Sequence, residues 1–260
     1  MTCPRLLRFT VLFAAGAIAR AEPEAEVRAA ATALARTSHA WETTARQRFT
    51  SESRDFRPNP NATIEVRGRT DPEGSTQITV LPSPDIPVEI VAVFRAGDVV
   101  GQTPVGWLRR TAMRQVPNQD RTIQAGGRPV RLSRLLAAAL QVTARKTAAE
   151  DLLDLIEEVK AWREQGGLVL GALSDRAIER LWGDAQAKRA PEVHGTVIFR
   201  PTAAGLTEYH VVLAIGFPQS RTGKTAWTML QWSTRFSGLG STQVEPPAAA
   251  LKALDEDGPP

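Results

Sequence analysis

Ile64-Glu65-Val66-Arg67-Gly68-Arg69-Thr70, then Asp71-Pro72-Glu73-Gly74, then Thr76-Gln77-Ile78-Thr79-Val80 is the stretch whose reading decides the fold. Ile64 and Val66 alternate with Glu65, Arg67 and Arg69, the two-residue period of a strand with one apolar and one polar face. Asp71-Pro72-Glu73-Gly74 is a turn signal, and alternation resumes over residues 76–80, so the stretch reads as a β-hairpin. A third strand is expected over residues 86–94, a turn at Arg95-Ala96-Gly97-Asp98, and short strands over residues 99–108. Apolar residues on one face and charges on the other mark an antiparallel meander covered on one side.

Working outward, residues 24–46 read as one helix. Val27, Ala31, Leu34, Ser38, Trp41 and Ala45 recur at spacings of four and three, and Pro23, Glu22 and Glu24 suit a first turn. Residues 133–143 read as a buried helix. Thr147-Ala148-Ala149-Glu150 is a capping box for a helix whose stripe is Leu152, Leu155, Ile156, Val159 and Trp162, stopped by Gly166-Gly167. Ser174 caps a further helix with the face Ala177, Ile178, Leu181 and Trp182. Strands return over 193–200, 206–216 and 225–236, an extended piece covers 242–245, and a short helix over 247–254 follows. Strands on both sides of a helical insert pair most simply in one large antiparallel sheet with helices on one face, an α+β class. Residues 22–254 then form a single domain, and 255–260 a polar tail.

The chain has 260 residues, enough to bury a core without metal or disulfide support, and its single cysteine, Cys3, excludes a disulfide framework. Residues 1–21 read as a secretory signal peptide. Arg5 and Arg8 precede a short apolar run over 9–18, and Ala19-Arg20-Ala21 matches a small-x-small cleavage pattern. The run is about half the roughly 20 residues a membrane span needs, so no integral span is expected and the location is periplasmic or secreted. The formal net charge of +4 is carried largely by Arg5, Arg8 and Arg20. The remainder has no basic stripe of the kind that binds nucleic acid.

Motifs for chemistry are sparse. Arg221-Thr222-Gly223-Lys224-Thr225 ends like a phosphate-binding loop, but Pro218 stands where its first glycine belongs. His39, His194 and His210 supply no third metal ligand at a telling spacing, although His194 and His210 fall on adjacent strands and can be cross-strand neighbours. No Gly-x-Ser-x-Gly elbow occurs. No catalytic residue, metal or cofactor is expected. Six tryptophans are a large allotment, with Trp107, Trp227 and Trp232 on expected strands and Trp41, Trp162 and Trp182 on expected helices.

The C-terminal third carries a resemblance. His194-Gly195-Thr196-Val197-Ile198-Phe199, Gly205-Leu206-Thr207-Glu208-Tyr209-His210 and Gly238-Leu239-Gly240-Ser241-Thr242-Gln243-Val244-Glu245-Pro246 resemble a group of exported bacterial proteins of uncharacterised function. These look like lipoprotein-carrier (LolA-like) half-barrels, although this chain has no lipidation cysteine after its apolar run. The resemblance implies a curved antiparallel β half-barrel with helices covering the concave face, and a carrier of an acyl chain, a lipid or a lipidated partner. Parity puts Ile90 and Phe94 on the apolar face opposite Glu89 and Arg95, and Val211, Leu213 and Ile215 with Trp227 and Met229 in the later strands. An apolar pocket lined by Ile90, Phe94, Trp107, Val211, Leu213, Trp227 and Met229 is therefore expected. The alternative is a structural or interaction module of the cell envelope with a packed core. Oligomeric state and ligand identity stay open.

Overall fold

The computed structural model of the chain describes residues 22–49, 63–182, 192–203, 205–218 and 225–256. The expected signal peptide and the Arg221–Lys224 loop lie outside these residues. The described part opens with α1 (Pro23–Ala35) and runs into β1 (His39–Phe49) at the centre of the sheet. It then steps outward through β2 (Ile64–Thr70), β3 (Thr76–Val80), β4 (Ile90–Arg95), β5 (Asp98–Thr103) and β6 (Gly106–Arg109) to one edge. There α2 (Arg110–Gln115), the small hairpin β7 (Thr122–Ala125) and β8 (Arg128–Arg131), α3 (Leu132–Thr143) and α4 (Ala148–Glu157) cross to the other side. At the opposite edge β9 (Val159–Gln165) and β10 (Leu168–Leu173) are followed by α5 (Asp175–Trp182). The chain returns inward through β11 (Glu192–Thr202), β12 (Gly205–Pro218) and β13 (Thr225–Ser237), and ends with α6 (Ala248–Asp255).

The result is an 11-stranded antiparallel sheet in the order β6-β5-β4-β3-β2-β1-β13-β12-β11-β10-β9. It does not close, because β6 and β9 are its edges. The fold is α+β, and the pairing of β1 with β13 is the seam between its two halves. Register puts Trp41, Thr43, Val66, Ile78, Ile90 and Ala92 on one face together with Thr234, Trp232, Tyr209, Val211, Leu213, Val197 and Phe199. This inner face carries the core: Phe199, Leu213, Ile78, Leu135, Leu152 and Ile156 are all fully buried. The helices cover it in two groups. α3 packs on β3, β4 and β5, while α1 packs on β9, β11 and β12, α5 on β11, and α4 on α1. α3 comes this close because Gly101 has no side chain: a Cβ there would sit 2.6 Å from Met113 Cε and 2.9 Å from Thr143 Cγ2.

Two expected elements change type. The helix expected over 24–46 ends at Ala35, and β1 takes over at His39. Trp41 and Ala45 are four residues apart, a spacing that a helix and one face of a strand share, so periodicity did not separate them. The long helix expected to reach Trp162 stops at Glu157, and Val159 and Trp162 lie on β9. Gly166 and Gly167 (φ 60° and 76°) make a two-residue hairpin turn into β10 rather than a helix stop. The strand expected from residue 86 begins at Ile90.

α6 lies on the opposite, outer face. Its Ala250 and Leu254 cover Val93, Val100 and Trp107 in a small second core. Arg109 donates to the carbonyl of Leu254 at 2.5 Å and to Asp98 at 3.0 Å, satisfying an orphan carbonyl at the helix C-terminus.

Candidate functional site

Between the two helix groups, over the seam, the inner face is open as a recess of about 310 Å³. Its floor is made by Trp41 and Thr43 of β1, Val66 of β2, Ile78 of β3, Tyr209 and Val211 of β12, and Trp232 and Thr234 of β13. Its roof and rim are Ala148, Asp151 and Leu155 of α4, Arg180 and Leu181 of α5, and Arg145 and Lys146 of the turn before α4. The volume lies at the lower end of the roughly 300–1,000 Å³ of small-molecule sites.

Local sequence explains the roof. Thr147 Oγ1 accepts from the Glu150 N–H at 3.2 Å and Glu150 Oε2 accepts from the Thr147 N–H at 2.8 Å, the capping box read from the sequence. It starts α4 where the chain leaves α3 and so holds Arg145 and Lys146 at the rim. Ser174 Oγ accepts from the Ala177 N–H at 3.0 Å and donates to Glu158 at 2.7 Å, which ties the start of α5 to the end of α4. On the floor, the Trp41 indole lies across Gly68 of the neighbouring strand, where any Cβ would overlap the ring.

The recess is apolar on its floor apart from a hydroxyl string. Thr43 Oγ1 and Thr234 Oγ1 are 2.8 Å apart, and Tyr209 hydrogen-bonds Thr234. Burial pushes the Tyr209 phenol up to about 12, so it stays protonated. The rim is charged. Asp154 accepts from Lys146 at 2.6 Å and lies 3.7 Å from Arg180, so it holds both cations. Arg145 has no ion-pair partner within 4 Å among the described residues, and desolvation by the surrounding protein lowers its pKa against the opposing pull of Asp151. Desolvation likewise lifts the Asp151 carboxyl to about 6, with Asp154 adding repulsion and Arg145 opposing it.

Of the seven residues expected to line the pocket, Val211 lies on the recess. Ile90, Phe94 and Leu213 share its face, but Ile90 and Leu213 are buried in solid packing. Trp107 is on the outer face under α6. Trp227 and Met229 are on the outer face too: β13 pairs Val211 with Trp232 and Leu213 with Leu230, so 230 and 232 carry the inward parity and 227 and 229 the outward one. Both parities of β13 are bulky, and the alternation alone did not choose between them. Recess residues outside the expected seven include Trp41, Trp232, Arg145 and Asp151. Trp41 was hidden by its assignment to a helix, while Arg145 and Asp151 flank the capping box that the sequence does show.

The chain finds no match among protein-family models and none among curated proteins.

A second polar cluster lies on the open outer face. His210 Nδ1 is 2.7 Å from Ser233 Oγ and its Nε2 3.2 Å from Glu208 Oε1, a serine–histidine–carboxylate chain. Glu208 also pairs with Arg235 at 3.0 Å and Arg200 at 3.2 Å. Burial alone would raise its pKa, but the Arg235 hydrogen bond and the charges of His210, Arg235 and Arg200 outweigh that and hold it below the usual range. Ser233 sits mid-strand, paired on both sides by Thr44 and His210, so its backbone N–H is committed to the sheet and offers no oxyanion donor. The cluster is a cross-strand clamp of three strands.

His194 does not meet His210. Register places it beside Ala214, while its ring stacks on Trp227 with centroids 5.9 Å apart and reaches Glu192 at 2.9 Å. His39 is buried, donates Nδ1–H to the Thr37 carbonyl at 2.7 Å, and is held neutral by desolvation. Among the described residues no helix is long and apolar enough to cross a membrane, and no cluster of three metal-ligating side chains occurs.

Proposed function

We propose that the protein is an exported, non-enzymatic binding protein that holds the apolar chain of an amphiphile, a lipid or a lipidated partner in the recess over the β1–β13 seam. In this reading the open sheet is a curved half-barrel of the lipoprotein-carrier type, the helices cover its concave side, and residues 1–21 direct export. The single observation that carries it is the apolar recess of about 310 Å³, floored by Trp41 and Trp232. The indoles of Trp41 and Trp232 and the side chains of Val66, Ile78, Val211 and Leu155 supply its apolar lining. Burial of methylenes there contributes about 0.8 kcal/mol each, with no covalent step required.

The test is uptake of a fluorescent acyl probe by the purified chain. Leu181→Trp, at the partly exposed rim, fills the recess and is expected to weaken uptake at least tenfold. Met229→Trp, on the opposite face, is expected to leave it unchanged. Equal uptake by both variants, or none by the parent, would refute the reading and leave an envelope interaction module as the better account.

A further inference from the structure

We infer that the occupant of the recess is a single-chain amphiphile with an anionic head, a carboxylate or phosphate, and that Arg145 is the residue that receives the head. This deepens the binding function proposed above and rests on it. The inference comes from how charge is distributed around the rim. Three cations stand there, but two are already ion-paired, both to the one carboxylate of Asp154: Lys146 at 2.6 Å and Arg180 at 3.7 Å. The Arg145 guanidinium is left without a carboxylate within 4 Å among the described residues and stands exposed at the mouth of the recess. An exposed, unpaired guanidinium beside an apolar recess is open to an anion, and pairing with one gains charge-assisted hydrogen bonds.

The geometry sets the orientation of the ligand. Arg145 precedes the capping box and stands on the rim, whereas Trp41, Trp232 and Val211 form the floor. A chain with its tail on the floor would present its head at the rim. A planar guanidinium suits either a carboxylate or a phosphate, which it binds through two parallel hydrogen bonds. A neutral head would leave Arg145 unpaired. A cationic head would be repelled by the unpaired Arg145.

Asp151 adds a pH dependence. The groups facing it are Arg145 and Lys146 from the turn, Asp154 on its own helix, Arg180 from α5 and Tyr209 from β12. Ionised Asp151 competes with a ligand anion for Arg145, and protonated Asp151 does not. An anionic ligand should therefore bind more tightly at pH 5.5 than at pH 7.5.

The experiment is competition against the fluorescent acyl probe with dodecanoate, dodecyl phosphate and dodecanol, all below their micelle concentrations, at pH 7.5. The expected result is displacement by both anions about 10- to 100-fold better than by dodecanol, the range set by hydrogen bonds to a charged group. Arg145→Met should abolish that preference while leaving dodecanol unchanged. Lys146→Met, whose ammonium Asp154 already holds, should largely keep it. Equal displacement by anions and alcohol in the parent, or a preference that survives Arg145→Met or falls equally with Lys146→Met, would overturn the head-group assignment. Displacement by all three without preference would leave the binding function standing, whereas failure of the probe itself to bind would remove both.

Discussion

Gly68→Ala is the smallest change that should disturb the recess, because it acts on one of its floor residues from behind. The Trp41 indole lies over Gly68, and a Cβ there would meet Cζ2, Cε2 and Cη2 of the ring. The separation would be about half of the roughly 3.5–4.0 Å of an ordinary carbon contact, so the ring must move by roughly 1.5–2 Å. Trp41 is only 5% exposed and its ring already packs against His39 with centroids 5.5 Å apart, so the free direction is into the recess. Overpacking of this kind costs about 1–3 kcal/mol. At about 2–4 °C per kcal/mol for a chain of this size, the melting temperature should fall by roughly 2–12 °C. Thermal unfolding followed by tryptophan fluorescence measures the loss, and probe uptake measures the lost space. The decisive version is a double-mutant cycle with Trp41→Leu, in which Gly68→Ala should cost much less because the ring is gone. An equal loss in both backgrounds, or none in either, would refute the placement of the ring.

Phe199→Ala should cost about 3–5 kcal/mol by chemical denaturation, because Phe199 is 0% exposed and stacks on Trp162 with centroids 5.5 Å apart. A loss below about 1 kcal/mol would mean that β9 and β11 do not share this core. Asp151→Asn should stabilise the protein at pH 7.5 and not at pH 4. With its folded value near 6 raised above the ordinary 3.8, this carboxyl favours the fold fully below 3.8 and loses that contribution as pH rises through about 6. Melting curves across pH should show the gain growing between pH 4 and 7, and a pH-independent gain would contradict the desolvation of this carboxyl. Arg109→Ala should release the end of α6, seen as faster amide exchange over residues 248–255 with the exchange of β12 and β13 unchanged.

The sheet was legible wherever one face was apolar and the other charged. The β2–β3 hairpin, the Ala96-Gly97 turn and the three long C-terminal strands follow from alternation and turn residues, and the capping box at Thr147 follows from its own four residues. The sequence failed where two periods coincide. Trp41 and Ala45 satisfy a helix and a strand alike, and Val159 and Trp162 extend the stripe of α4 although the backbone has already turned. Gly166-Gly167 ends a helix or closes a hairpin with equal ease, and only the pairing of β9 with β10 decides between them. The recess was harder still. It exists because the helix over β3–β5 and the helices over β9–β12 fail to meet over a seam made by the first and last strands. That is a fact of packing between residues some 190 positions apart, as in the Thr43–Thr234 bond. The inward parity of β13 likewise depends on its register with β12, which no single strand reveals.

The account rests on an acyl chain lying on the inner face over the seam, and paramagnetic broadening tests this directly. A dodecanoate-like chain bearing a nitroxide at its tail, titrated into isotope-labelled protein, should broaden the amides of Thr43, Val66, Val211 and Thr234 first. It should leave Lys252 and Ala253 of α6, on the outer face, sharp. Broadening centred on the outer face, or none at saturating probe, would contradict the binding site at the seam.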